Sequence, residues 1–112
     1  MLNTTVQRYK QDMAVCTQKS DMDGQQCLAD LLEPSEIELD LAYKAALKKA
    51  KAQARVVELK TAQSAWSKYA SAQCDFEHAQ FRGGTAYHSV GYICRIRLNA
   101  ERIDQLSRGA NQ

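Results

Sequence analysis

Turn-forming residues are scarce in this chain: one proline, Pro34, and five glycines in 112 residues. That is too little turn chemistry for an all-β protein, whose hairpins each ask for a Gly, Asn-Gly or Pro signal. No apolar run approaches the roughly 18 residues of a membrane helix. The start, Met1-Leu2-Asn3-Thr4-Thr5, carries no apolar secretory core. A large excess of one charge is also missing: 15 Lys+Arg against 13 Asp+Glu leave +2, which does not argue for nucleic acid. There is no G-x-S-x-G, Walker A, H-E-x-x-H or G-x-G-x-x-G. What is present, 45% hydrophobic and 25% charged residues, is the balance of an ordinary globular domain. The expectation is a single, mostly helical domain over residues 1–112.

Four cysteines stand out in so short a chain: Cys16, Cys27, Cys74 and Cys94. None forms a C-x-x-C, so neither a zinc ribbon nor a thioredoxin-like redox pair is indicated. His78 and His88 are the residues that could join Cys74 and Cys94 around a metal, but the close ligand pairs of zinc motifs are lacking, and no metal or other cofactor is expected. Two disulfides are the better reading, and they imply an oxidising compartment, the bacterial periplasm or the outside of the cell. A signal peptide for that route is absent from this chain. Three pairings are open; Cys16–Cys27 with Cys74–Cys94 closes the shortest loops, worth about 3 kcal/mol each in the chain-entropy model.

Helical spacing runs through most of the chain. Leu2, Val6, Tyr9, Met13 and Cys16 share one helical face, with Asn3 or Thr4 as cap. Thr17 to Gly24 reads as a turn, Gln25 to Leu32 as a short helix, and Glu33-Pro34 as its stop. Ser35-Glu36-Ile37-Glu38 is a capping box. From there to Phe81 there is neither Pro nor Gly. One helix of roughly 45 residues would be about 68 Å long, against a compact radius of gyration near ~13 Å. Either this helix overhangs its partners or it bends back near Lys51–Arg55, so the fold class is an all-α, disulfide-stapled domain around a long central helix or a helical hairpin. Arg82-Gly83-Gly84-Thr85 breaks the pattern, a last helix covers Ala86 to Leu106, and Arg108 to Gln112 reads as a frayed tail.

Charge is segregated. Residues 20–43 hold Asp21, Asp23, Asp30, Glu33, Glu36, Glu38 and Asp40 without a Lys or Arg, while residues 44–60 hold Lys44, Lys48, Lys49, Lys51, Arg55 and Lys60 against Glu58. The acidic stretch reads as solvated surface and helix N-terminal acids, or more sharply as a patch for a basic partner. The basic stretch lacks interleaved aromatics and is a poor nucleic-acid platform; Lys44, Lys48, Lys51 and Arg55 share a side that would suit anionic lipid or glycan. Cys74 and His78, four apart, invite a nucleophile reading, which fails if Cys74 is oxidised and His78 lies on the surface. Gly83-Gly84 is better explained as an interhelical turn than as an anion cradle.

Four stretches together resemble the lysozyme-inhibitor LprI-like domain family, small secreted bacterial proteins otherwise known as a domain of unknown function. They are Cys16 with Gln25-Gln26-Cys27-Leu28-Ala29; Glu38-Leu39-Asp40-Leu41-Ala42-Tyr43; Leu59 to Tyr69, containing Gln63 and Trp66 ahead of Cys74; and Gly83-Gly84-Thr85 followed by Cys94 and Arg97. The likeness covers about residues 13–106. This chain departs from the family in having Ser64 where Arg is common, Ala70-Ser71 in place of an Arg-Asp pair, and no Pro-containing turn near Lys51–Gln53. The residues themselves suggest structural roles: Tyr43, Trp66 and Tyr69 bury area where helices cross, Gln63 or Asp40 takes an indole or phenol donor, and Arg97 pairs with Asp40 or a helix C-terminus.

The resemblance implies a non-enzymatic envelope or secreted binding protein that blocks lysozyme. A loop would then plug the cleft whose two carboxylates hydrolyse a glycosidic bond. Arg82, Gly83, Gly84, Thr85 and Tyr87 are the candidate plug, with Arg82 for a carboxylate, Thr85 for a hydrogen bond and the glycines for close approach. The rival readings are an immunity-type protein against another periplasmic toxin, a structural envelope component, and a small enzyme using Cys74 and His78. A protein partner is expected, lysozyme or another periplasmic hydrolase or toxin, and no nucleic acid.

Overall fold

The computed structural model describes residues 4–110, and their side chains over 5–108. Leu2, Asn3, Asn111 and Gln112 of the sequence reading lie outside the described residues. Four helices follow one another: α1 (Thr4–Thr17), α2 (Asp21–Ala52), α3 (Val56–Ala79) and α4 (Tyr87–Ala110), with no strand among the described residues. The last helix thus includes Arg108 and runs to Ala110, further than the frayed tail expected there.

Successive helices run antiparallel, so α2 and α4 are parallel, and α4 packs on all three others while α1 and α3 do not meet. Pairings along the molecule set this register. Ser35 meets Asn99, and Leu39 and Ala46 share a core with Ile103 and Leu106. Tyr9 packs with Ile96 and Ala100 on the α1 side, and Ala70 with Cys74, Cys94 and Leu98 on the α3 side. Trp66 packs against both the α2–α4 core and the α3–α4 core. The 32 residues of α2, at about 1.5 Å rise each, account for the longest dimension of the 48 × 26 × 19 Å domain. The radius of gyration of 15.4 Å exceeds the compact expectation for that reason.

The long stretch after Pro34 is a hairpin, not one helix. The turn is a Schellman motif: the Arg55 N–H reaches the Ala50 carbonyl at 2.8 Å and the Ala54 N–H the Lys51 carbonyl at 3.4 Å. Ala54 takes the left-handed conformation, φ 58°, where glycine is usual.

Three local expectations are corrected. Pro34 does not stop a helix; it lies inside α2. Its missing N–H leaves the Asp30 carbonyl without a helical donor, but both residues lie on the exposed face, where water can serve. Ser35 is therefore not a capping residue. It is fully buried, and its hydroxyl donates back to the Leu32 carbonyl at 2.7 Å. Gly24 does not belong to the turn, which shrinks to residues 18–20; it is buried in the first turn of α2, where a Cβ would stand 2.9 Å from the Cys16 carbonyl oxygen. Glycine at this position lets the α1–α2 corner close. The expected caps, Asn3 and the Thr4 side chain, lie outside the described residues; at the start of α1 the Asp104 carboxylate of α4 accepts the Thr5 and Val6 N–H groups, each at 3.2 Å.

Candidate functional site

Both disulfides take the short-loop pairing. Cys16–Cys27 ties α1 to α2 with Cα atoms 5.4 Å apart, and Cys74–Cys94 ties α3 to α4 with Cα atoms 5.5 Å apart. Cys74 is thereby removed as a nucleophile or metal ligand. Among the described residues no three His, Cys, Asp or Glu side chains are gathered as ligands for a metal.

The second disulfide braces the base of the α3–α4 connection. Beside it Arg97 pairs with Glu77 through both guanidinium nitrogens, at 3.2 and 2.6 Å. This fork holds the Glu77 carboxyl below its ordinary range, helped by a 2.9 Å hydrogen bond from Gln73, and raises Arg97 in turn. Arg97 thus meets an acid in the last turns of α3, not Asp40, which pairs with Lys44 at 2.8 Å on the surface of α2. Tyr87 stacks on His78 with centroids 4.3 Å apart and planes 17° from parallel. Gly91 lets α4 approach that stack, since a Cβ there would be 2.9 Å from His78 Nδ1. His78 is largely covered, not a surface residue, and its Nε2 lies 3.7 Å from Asp75.

Above this base the chain turns tightly. The Phe81 and Arg82 N–H groups bond the His78 and Ala79 carbonyls at 3.0 and 3.3 Å; the Gly84 N–H then bonds the Phe81 carbonyl at 2.9 Å. Gly83 adopts φ +80°, and nothing lies within 4 Å of where its Cβ would be. Arg82, Gly83, Gly84 and Thr85 are all exposed, and among the described residues Arg82 has no ionic or hydrogen-bonding side-chain partner. Four of the five plug residues therefore share one exposed tip. Tyr87 differs: it is half-buried and forms the floor of the loop through its stack. Two aromatics near the tip were not singled out from sequence, Phe76 (69% exposed) and Phe81 (39% exposed). Their only sequence signal was an apolar ring among helix-end polar residues.

The remaining structural residues divide. Trp66 and Tyr43 pack on the core, with the Arg95 guanidinium 5.8 Å over the Trp66 ring. Tyr69 is instead 54% exposed. Gln63 accepts a hydrogen bond from Arg102 Nε at 2.9 Å, so its carbonyl serves a guanidinium rather than an indole or phenol.

The acidic stretch is partly neutralised within the fold. Glu36 meets Arg95 at 3.4 Å, and Glu38 takes Arg8 and the Tyr9 hydroxyl, the latter at 2.9 Å. Burial, then the Glu38 contact, pushes the Tyr9 phenol up to about 12. Asp21 and Asp23 occupy the first turn of α2, where its dipole favours them.

No helix among the described residues is long and apolar enough to cross a membrane. Neither a search of curated proteins nor one of solved structures gives a significant match. A family model does match, over residues 2–106, and its description is lysozyme inhibitor LprI. With nearly the whole chain covered, including all four cysteines and the loop that Cys74–Cys94 braces, the chain belongs to the LprI family.

Proposed function

We propose that this protein is a non-enzymatic binding protein that inhibits lysozyme by inserting its α3–α4 loop into the enzyme's cleft. The observation that carries this reading is Arg82: an exposed guanidinium without an internal partner, at the tip of a glycine turn whose base is cross-linked by Cys74–Cys94. A pre-ordered loop loses little entropy on binding. Its cation suits a cleft built around two carboxylates, where a charge-assisted, bidentate contact forms at full strength once water is excluded. Open space around Gly83 allows close approach of the backbone. Thr85 supplies a hydroxyl beside the cation, and Tyr87 holds the floor. The family match supports the target, and two formed disulfides support a periplasmic or extracellular setting.

The test is residual muramidase activity of several lysozyme types titrated with the disulfide-intact protein. Dose-dependent loss near a one-to-one ratio is expected against at least one type. Arg82→Ala with Thr85→Ala is expected to weaken inhibition by roughly ten- to a hundredfold, the worth of a lost charged contact. Unchanged potency in that variant removes the loop from the mechanism. No inhibition across the panel removes lysozyme as the target and transfers the weight to an immunity or envelope-scaffold role.

A further inference from the structure

The end of the molecule remote from the Gly-Gly loop holds a cavity of about 260 Å³, where the last turns of α2, the start of α3 and the end of α4 converge. Its walls are small and aliphatic: Ala46 and Ala50 from α2, Leu59 and Ala62 from α3, Leu106 from α4. The size falls just below the range of roughly 300–1,000 Å³ typical of small-molecule sites. At about 30 Å³ per water-sized group, it holds an aliphatic chain of roughly eight such groups.

The polar groups of this cavity are mostly cationic. Lys49, Arg55 and Arg102 line it against one acid, Glu58. Arg102 is half-buried, and among the described residues it meets no carboxylate. Its guanidinium donates to two neutral acceptors, Gln63 Oε1 at 2.9 Å and Gln105 Oε1 at 3.1 Å, and burial alone moves its pKa, downward. A guanidinium withdrawn from water without a counter-ion is costly, and the fold's other inter-helix arginines, Arg8, Arg95 and Arg97, each have an acid. An apolar cleft with a half-buried, unneutralised cation is matched by a ligand with an apolar tail and an anionic head.

We infer that this cavity binds a medium-chain aliphatic carboxylate, its tail against Ala46, Ala50 and Leu106 and its carboxylate on Arg102, with Lys49 and Arg55 at the mouth. The carboxylate supplies the missing counter-charge, and the three N–H donors that Gln63 and Gln105 leave on the planar guanidinium suit it better than an ammonium would. The site lies at the opposite end of α2 from the lysozyme loop and is independent of that reading.

Octanoate below its micellar concentration, titrated into the disulfide-intact protein and followed by calorimetry, tests the inference; octanol and acetate carry the tail and the charge separately. Saturable one-site binding of octanoate is expected, with octanol and acetate each at least about tenfold weaker. Arg102→Met is expected to weaken octanoate by about tenfold or more. Ala62→Phe, at an exposed helix position that leaves every cation in place, is expected to fill the cleft and abolish binding. Absence of saturable octanoate binding, octanol binding as tightly as octanoate, or unchanged octanoate affinity in a folded Ala62→Phe variant would each overturn it.

Discussion

Asn99 of α4 donates its Nδ2 to the Ser35 hydroxyl of α2 at 3.0 Å, and both side chains are completely removed from solvent. The serine hydroxyl donates its own hydrogen bond to the Leu32 carbonyl, so a single oxygen serves the helix that Pro34 interrupts and the helix that packs on it. This buried contact fixes the register of α2 against α4, beside the more exposed Glu36–Arg95 pair between the same helices.

Its removal is predicted to be asymmetric. Ser35→Ala leaves the Asn99 Nδ2 without an acceptor, beside an Oδ1 that already has no donor, and should cost about 1–3 kcal/mol, read as a lower urea midpoint. Asn99→Leu leaves the serine satisfied by Leu32 and should cost less. The double variant should recover part of the Ser35→Ala loss, because both ends are then apolar. Additive losses would show that the two residues do not act as a pair.

Ala54 bears the left-handed conformation of the α2–α3 turn without the freedom of glycine. Ala54→Gly should therefore stabilise by about 1 kcal/mol, the steric cost of the left-handed region less the added freedom of the unfolded chain. An upward shift in urea midpoint with unchanged slope checks this.

The Glu77–Arg97 fork links stability to pH. Glu77 titrates lower in the folded protein than its ordinary value of 4.5, chiefly through the Arg97 hydrogen bonds. Its contribution is therefore complete above that value and is lost as pH falls through the depressed folded pKa. Both groups are partly open to solvent, so the effect is about 1 kcal/mol. Glu77→Gln should flatten the acid limb of the stability profile; an unchanged limb would assign acid sensitivity elsewhere.

Replacing Cys74 and Cys94 together by alanine should lower stability by about 3 kcal/mol, from the 20-residue separation they close. It should also release the loop they brace. Faster tryptic cleavage after Arg82 in this variant than in a Cys16→Ala/Cys27→Ala variant measures that release, and equal cleavage would mean that the Tyr87–His78 stack alone holds the loop.

Local chemistry determined a large part of this protein. Apolar spacing marked the helical face around Tyr9; Gly83-Gly84 marked the α3–α4 break; four cysteines without C-x-x-C spacing marked two staples. These features are legible because each depends on neighbours within a turn or two of chain. The exposed tip at Arg82–Thr85 was legible for the same reason.

Tertiary structure alone decided the rest. It chose between one long helix and a hairpin by placing alanine at φ 58°, which no turn residue announces. Pro34 and Ser35 carry a strong local signal for a helix boundary, yet burying the α2 face against α4 outweighs a cost of about 3 kcal/mol for an interior proline. Asp104 caps a helix 98 and 99 residues away in sequence, and Arg97 finds Glu77 instead of Asp40, because the acid available to a side chain depends on which helix faces it. Arg102, the cation without an acid, is visible only once three helix ends have met.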